Sequence, residues 1–253
     1  MPITLLYIDK GIYLESVDST NTYLKKEEFQ PGVWVSSKEQ INGRGRKEKV
    51  WNSYGEDKIF FSGKIEFTDT RFPASVLSLF VGSEIFKVLT KIFPTLSNEL
   101  KIKWPNDIYK KDKKIAGILI ECEQKGNSLI VIVGIGINIF GTEIFPDSQN
   151  IGFLLDSKPK TTLMKNLTEN LVSSVNQAAL IALEKERIEK ELEFVYSNSY
   201  LKEKIIKAYI GERQILGKSI GFTTDGFLIV ETKTGEKFEL LDTGPGFEVI
   251  GNE

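Results

Sequence analysis

Two arginines set between glycines, in Gly43-Arg44-Gly45-Arg46, place two guanidinium forks on backbone that is free to take positive φ. A loop of that composition is suited to closing on anions, and Trp51, beyond Lys47-Glu48-Lys49-Val50, offers a large ring to anchor its far end against a core. Taken alone, the tetrapeptide equally suits a solvated surface turn with RNA-binding character. Lys103, Lys114 and Asp107 add charge further along, and Asn21, Gln40, Asn106 and Asn138 add side-chain amides. The chain has no histidine. That excludes Ser-His and Cys-His nucleophilic pairs and removes the commonest zinc ligand. Chemistry here falls to Lys, Arg, carboxylates and backbone N–H groups.

With 253 residues and 41% hydrophobic content, the chain can bury a large core, and its length suggests one large domain with a small companion. A net charge of −2 makes the basic loop a local feature and points to a small or specific partner. Cys122 is the single cysteine of this sequence, so no intramolecular disulfide is expected within it, and neither a leader nor a bilayer-spanning segment is expected from its apolar runs. A cytoplasmic protein that does not engage a membrane is the expectation.

The elements that must position these groups follow from periodicity and turn residues. Ile3 to Ile8 and Gly11 to Val17 read as a β-hairpin around Asp9-Lys10-Gly11. Asp18-Ser19-Thr20-Asn21 supplies N-caps for a short helix through Tyr23 to Glu28, and donors clustered at a helix N-terminus could also orient a polar ligand. Val33 to Ser37 and Lys58 to Phe67 read as strands, which makes the Arg-Gly loop a strand-to-strand connection. Pro73 to Phe93 has helical spacing and ends at Pro94. Leu100 to Tyr109 reads as a strand halted by Pro105 and turned at Asn106-Asp107, followed by a charged turn and the strand Lys114 to Glu121. Leu129 to Ile139 is almost wholly apolar, a strand buried on both faces that ends with a polar Asn138. These segments bring Lys103, Trp104, Asn106, Asp107, Lys114, Gly117, Gly136 and Asn138 into one sheet. Thr161 to about Val195 reads as one long helix on the back of that sheet. From Glu203 onward short strands alternate with Gly turns, as in a small antiparallel barrel or sandwich. The expected division is 1–202 and 203–253.

Four motifs in order, Gly43-Arg44-Gly45-Arg46 with Trp51, Lys103-Trp104-Pro105-Asn106-Asp107, Lys114 to Glu121, and Gly134-Ile135-Gly136-Ile137-Asn138, resemble those of the biotin protein ligases. The resemblance covers residues 12 to 140 most strongly. It implies an α+β fold with a mixed central sheet and packed helices, like a class II synthetase or biotin-lipoate ligase, plus a small C-terminal SH3-like β-barrel. It also implies an ATP-dependent ligase that makes biotinyl-5′-AMP and passes biotin to a lysine of a biotin carboxyl carrier protein. By resemblance, Lys114, Arg46 and Arg44 are catalytic. Ser19, Thr20, Asn21, Gln40, Gly43, Arg44, Gly45, Arg46, Lys114 and Gly117 contact biotin. Arg46, Trp51, Asn106, Asp107, Lys114 and Asn138 contact ATP, and Asp107 helps place Mg²⁺.

No protein nucleophile is needed for such a reaction, which agrees with the residue inventory, because the difficulty is to bring two anions together. Many bacterial relatives carry an N-terminal winged helix, whereas this chain reaches the Ser19-Thr20-Asn21 triplet at once. A monofunctional ligase without sequence-specific DNA binding is therefore the expectation, and homodimerisation through an exposed sheet edge is left open. The segment Lys47-Glu48-Lys49-Val50 is less basic than in some relatives. Two alternatives compete: a lipoyl or octanoyl ligase of the same fold, against which the missing histidine counts, and a nucleic-acid-binding module, against which the near-neutral charge counts.

Overall fold

The apolar run Leu129–Ile139 lies within β8 (Ser128–Phe140), the centre of an eight-stranded sheet. In the computed structural model, which describes residues 3–48, 50–51, 55–68, 74–143 and 150–251, β8 pairs antiparallel with β4 (Asp57–Phe67) and with β7 (Lys113–Lys125). Outside β4 lie β3 (Trp34–Gln40) and β2 (Gly11–Val17), and short β1 (Ile3–Thr4) also pairs with β4. Outside β7 lie β6 (Asp107–Lys110) and β5 (Leu100–Lys103). Among the described strands only the β2–β3 pair is parallel, so the sheet is mixed.

Alternation along the strands gives the sheet two different faces. Phe61, Ile65, Val133, Ile135, Ile137 and Ile118 point back into the main core, beneath α2 (Ala74–Ile92), α3 (Thr161–Ile181) and α4 (Lys185–Ser197). Full burial of such side chains supplies roughly 1.5–3 kcal/mol each before entropy is counted. The opposite face carries Ser62 beside Gly134 and Phe60 beside Gly136, the latter paired in turn with Gly117. One short helix, α1 (Thr20–Leu24), covers part of this face through Leu24, Val35 and Ile132. Buried Lys64 Nζ donates to the carbonyls of Leu24 (3.2 Å) and Phe29 (2.6 Å), tying the end of α1 to β4. Burial holds that ammonium below its ordinary pKa.

Several elements differ from the sequence expectation. The opening hairpin does not form: β1 pairs with β4, and β2 runs parallel to β3 with Gly11 opposite Trp34. Trp34 packs its ring over Gly11, where any Cβ would collide, and its Nε1 donates to the Tyr7 carbonyl at 3.0 Å. Parallel pairing needs a crossover, which the α1 segment provides. That helix begins at Thr20 with Ser19 as its N-cap and ends at Leu24, earlier than the expected span to Glu28. The long C-terminal helix is two, broken where Glu184 is extended, and no Pro or Gly marks the break. Leu100–Tyr109 is two antiparallel strands joined through a cis Trp104-Pro105 peptide. Pro73 lies outside the described residues.

A second, antiparallel sheet contains β9 (Ile205–Ile210), β10 (Arg213–Phe222), β11 (Leu228–Thr232), β12 (Lys237–Leu240) and β13 (Glu248–Gly251) in the order β12-β11-β10-β9-β13. Among the described residues no pairing joins β12 to β13, so the small C-terminal unit expected as a barrel is present as an open five-stranded sheet. It packs on the first beside Trp104, whose Nε1 donates to the Gly226 carbonyl at 2.9 Å, and on α4 through Tyr196, whose hydroxyl donates to the Ser219 carbonyl at 2.6 Å. No helix among the described residues is long and apolar enough to cross a membrane.

Candidate functional site

On the glycine-bearing face a cavity of about 240 Å³ runs from the start of α1 to the Arg-Gly loop. Its inner end is neutral and tightly hydrogen-bonded. Ser19, Thr20 and Asn21 are each 3% exposed. Gln40 Oε1 accepts from the Thr20 backbone N–H (2.7 Å) and lies 3.0 Å from Thr20 Oγ1. Fully buried Ser62 Oγ is 2.7 Å from Thr20 Oγ1 and 2.6 Å from Asn21 Oδ1. Each hydroxyl has one proton, so these contacts form a relay in which each hydrogen bond fixes the next.

Asn21 is oriented from its other side as well, because its Nδ2 donates to Glu121 Oε2 at 2.8 Å. Glu121 Oε1 also receives Lys25 Nζ at 2.7 Å and lies 3.3 Å from Arg44. Burial pushes the Glu121 carboxyl up, but the hydrogen bonds from Lys25 and Asn21 and the charges of Lys25 and Arg44 outweigh it and leave the group below the usual carboxylate range. The amide is thereby locked in one orientation, with an N–H and a lone pair left for something in the cavity.

Gly117, Gly134 and Gly136 project no side chain into the floor, and that leaves room for Trp51 over Gly117 and Gly136 and for Asn21 over Gly134. A Cβ on Gly134 would run into Asn21 Oδ1, and one on Gly136 would lie 2.8 Å from Trp51 Cε2. Trp51 itself lies on this floor, its indole 4.9 Å from Lys114 Nζ, instead of anchoring the loop in a hydrophobic core. Its Nε1 is buried with no hydrogen-bond partner among the described residues.

The outer end is cationic. Arg44 bridges to Val50, and Trp51 N–H donates to the Gly43 carbonyl at 2.9 Å, which folds the loop back on itself. Arg46 reaches Asn106 Oδ1 at 3.4 Å and Asp242 at 3.0 Å, and Lys47, with φ of 53°, brings its Nζ within 2.7 Å of the same Asp242 oxygen. Lys114 Nζ is 2.6 Å from Asp107 Oδ1, an ion pair too poorly aligned to count as a hydrogen bond to that oxygen. Asn106 is clamped to β7, donating to the Ile118 carbonyl at 2.8 Å and accepting the Ile118 N–H at 2.8 Å. Fixed cations beside a neutral hydrogen-bonding pocket can hold a ligand that is polar and uncharged at one end and anionic at the other.

Of the residues singled out from the sequence, Ser19, Thr20, Asn21, Gln40, Arg44, Gly45 and Arg46 line the cavity, as do Trp51, Asn106, Asp107, Lys114 and Gly117. Gly43 is one step behind the wall, with Trp51 O only 2.5 Å from where its Cβ would be. Asn138 is not on the cavity surface. It is 4% exposed, two residues beyond Gly136 on the same face, and donates to the Gly152 carbonyl at 3.3 Å. Sequence reasoning missed Ser62, the roles of Glu121 and Lys47, and above all Asp242 and Thr243 from the second sheet, for which the local sequence carries no signal.

A model of the biotin/lipoate A/B protein ligase family matches residues 13–138. The bifunctional ligase/repressor BirA of Salmonella typhimurium is 30% identical over 221 residues, which cover 86% of this chain and 68% of that protein. A biotin–[acetyl-CoA-carboxylase] ligase of Paracoccus denitrificans is 33% identical over 135 residues, 51% of this chain and 54% of its own. Among solved structures, the biotin protein ligase from Aquifex aeolicus in complex with biotin and ATP matches with a TM-score of 0.73 at 26% identity, covering 96% of this chain and 99% of that one.

Proposed function

The chain belongs to the biotin/lipoate A/B protein ligase family, and from that membership and the geometry of the cavity we infer that it is an ATP-dependent biotin protein ligase. It activates biotin as biotinyl-5′-AMP and transfers the biotinyl group to the ε-amine of a lysine on a carrier protein. The observation that carries this reading is the placement of Lys114, between the locked Ser19-Thr20-Asn21 end and the Arg-Gly loop. One cation at that junction can touch both reacting anions.

In the first step a carboxylate oxygen of biotin forms a bond to the α-phosphorus of ATP as the bond to pyrophosphate breaks. Thr20, Asn21 and Gln40, held by Ser62 and Glu121, address the polar ring of biotin, and its tail runs from there toward Lys114. Lys114, Arg44 and Arg46 offset the charge that builds where carboxylate and phosphate meet. Trp51 packs against adenine, with Asn106 at the nucleotide and Asn138 behind them, holding the Gly152 carbonyl instead of the ligand. In the second step the acceptor amine attacks the acyl carbon, and AMP leaves.

Asp107 Oδ1 is buried and its one close charged partner among the described residues is Lys114 Nζ at 2.6 Å, so the carboxylate is held at the phosphate end of the cavity. That fits Mg²⁺ carried in on nucleotide phosphates and shared with a single carboxylate, as is usual for this ion. Such an ion would neutralise phosphate charge. We assign residues 1–202 to the catalytic unit and read the five-stranded sheet of 203–253 as its SH3-like companion.

Mass spectrometry of the protein after incubation with ATP and biotin, lipoate or octanoate tests the reading. A retained biotinyl adenylate that then labels a carrier-domain lysine is expected. Activation of lipoate or octanoate in preference to biotin would move the chain to the other branch of the family.

A further inference from the structure

Among the described residues, each of the four cations bordering the cavity is already met by a carboxylate of this chain: Lys114 by Asp107, Arg44 by Glu121, and both Arg46 and Lys47 by Asp242. The first two carboxylates belong to the large sheet. Asp242 does not. It follows β12, at the end of the second sheet that faces the Arg-Gly loop, and reaches the cavity from outside the catalytic unit.

Its geometry is that of an anion seated in a two-cation clamp. Oδ2 takes Arg46 at 3.0 Å and Lys47 at 2.7 Å, while Oδ1 is fixed by the Thr243 N–H at 2.7 Å. Lys47 adopts left-handed backbone, unusual for a side chain with a Cβ, in the conformation that delivers its ammonium there. A phosphate oxygen is the natural occupant of paired guanidinium and ammonium donors. A carboxylate and a phosphate cannot share those donors without bringing two anions into contact. The clamp is also accessible: the Arg46 and Lys47 side chains are 35% and 56% exposed, so the pairs are weak enough to exchange.

We propose that Asp242 is the counter-anion which nucleotide phosphates displace from Arg46 and Lys47, so that the second sheet sets the nucleotide affinity of the cavity and holds the Arg-Gly loop until that exchange. This rests on the ligase reading, since it takes ATP as the ligand.

The test titrates the full-length chain with ATP in the absence of biotin, comparing wild type with Asp242→Asn and Asp242→Glu. Loss of the competing charge should tighten ATP binding by about 5-fold or more, and the glutamate should restore wild-type affinity. Trypsin supplies a second readout because Arg46 and Lys47 are themselves cleavage sites. Without ligand the Asn variant should be cut there faster than wild type, and ATP should protect both. Asp242→Ser replaces the Asn variant if thermal melts show that it does not fold. Equal or weaker ATP binding by the charge-free variant overturns the proposal, because a carboxylate that instead positions Arg46 for the nucleotide would give that result. If wild type still forms biotinyl adenylate in that case, only the exchange fails. A wild type that neither binds ATP nor forms the adenylate removes the ligase reading and the exchange together.

Discussion

The two ends of the cavity are built by opposite means. At the inner end, Thr20, Asn21, Gln40 and Ser62 are neutral, mostly buried and linked by hydrogen bonds. At the outer end, Arg44, Arg46 and Lys47 are partly exposed and held by ion pairs to carboxylates. Buried hydrogen bonds are costly to leave unmade, so the inner end keeps one shape and selects by fit. Exposed ion pairs cost little to exchange, so the outer end can release its own carboxylates when a charged ligand arrives. Lys114 stands at the boundary, paired like the outer cations yet set on a rigid strand.

That division can be broken by substitution. Lys114→Ala should have the largest effect, lowering pyrophosphate release from ATP and biotin by about 100-fold or more with an unchanged melting profile, because it removes charge from a preorganised site without emptying a core. Release at the wild-type rate would take Lys114 out of the reaction. Next, Arg46→Ala should still form the adenylate but lose it roughly 10- to 150-fold faster, the equivalent of one charge-assisted hydrogen bond. A chase of labelled adenylate with excess unlabelled ligand measures this. Biotin affinity in that variant should be close to wild type. If it falls as far as adenylate retention does, the two ends are not independent.

Gly134→Ala tests the inner end. Its Cβ collides with Asn21 Oδ1, which displaces the amide, and loss of one hydrogen bond of about 0.5–1.5 kcal/mol corresponds to roughly 2- to 12-fold weaker biotin binding by calorimetry. ATP binding should be spared, and equal losses for both ligands would point to a general collapse of the sheet. The smallest expected effect concerns pH. Glu121 sits below the usual carboxylate range, so its pairing with Lys25, Asn21 and Arg44 stabilises the fold above the ordinary Glu value and is lost as pH falls through the lowered one. Melting temperatures of wild type and Glu121→Gln should therefore differ at neutral pH and converge in acid. A constant difference would show that the pairing contributes no pH-dependent stability.

The sequence by itself determined a good deal. The apolar run of β8, the helical spacing of α2 and the Gly-Arg-Gly-Arg loop are local patterns, each set by side-chain periodicity or backbone freedom within a few residues. Most residues singled out at the site, from Ser19 to Gly117, line one cavity because they occupy strand ends and loops whose positions follow from those patterns. Tertiary structure decided the rest. Gly11 looked like part of a hairpin turn, but it lies opposite Trp34 in a parallel β2–β3 pair, where only a glycine leaves room for the indole ring. Ser62 is one hydroxyl in an apolar strand until pairing sets it beside Asn21. Asp242 lies almost two hundred residues along the chain from Arg46, and no sequence period links the two. Charge acts through space, so which carboxylate meets which cation was fixed only when the second sheet packed against the first.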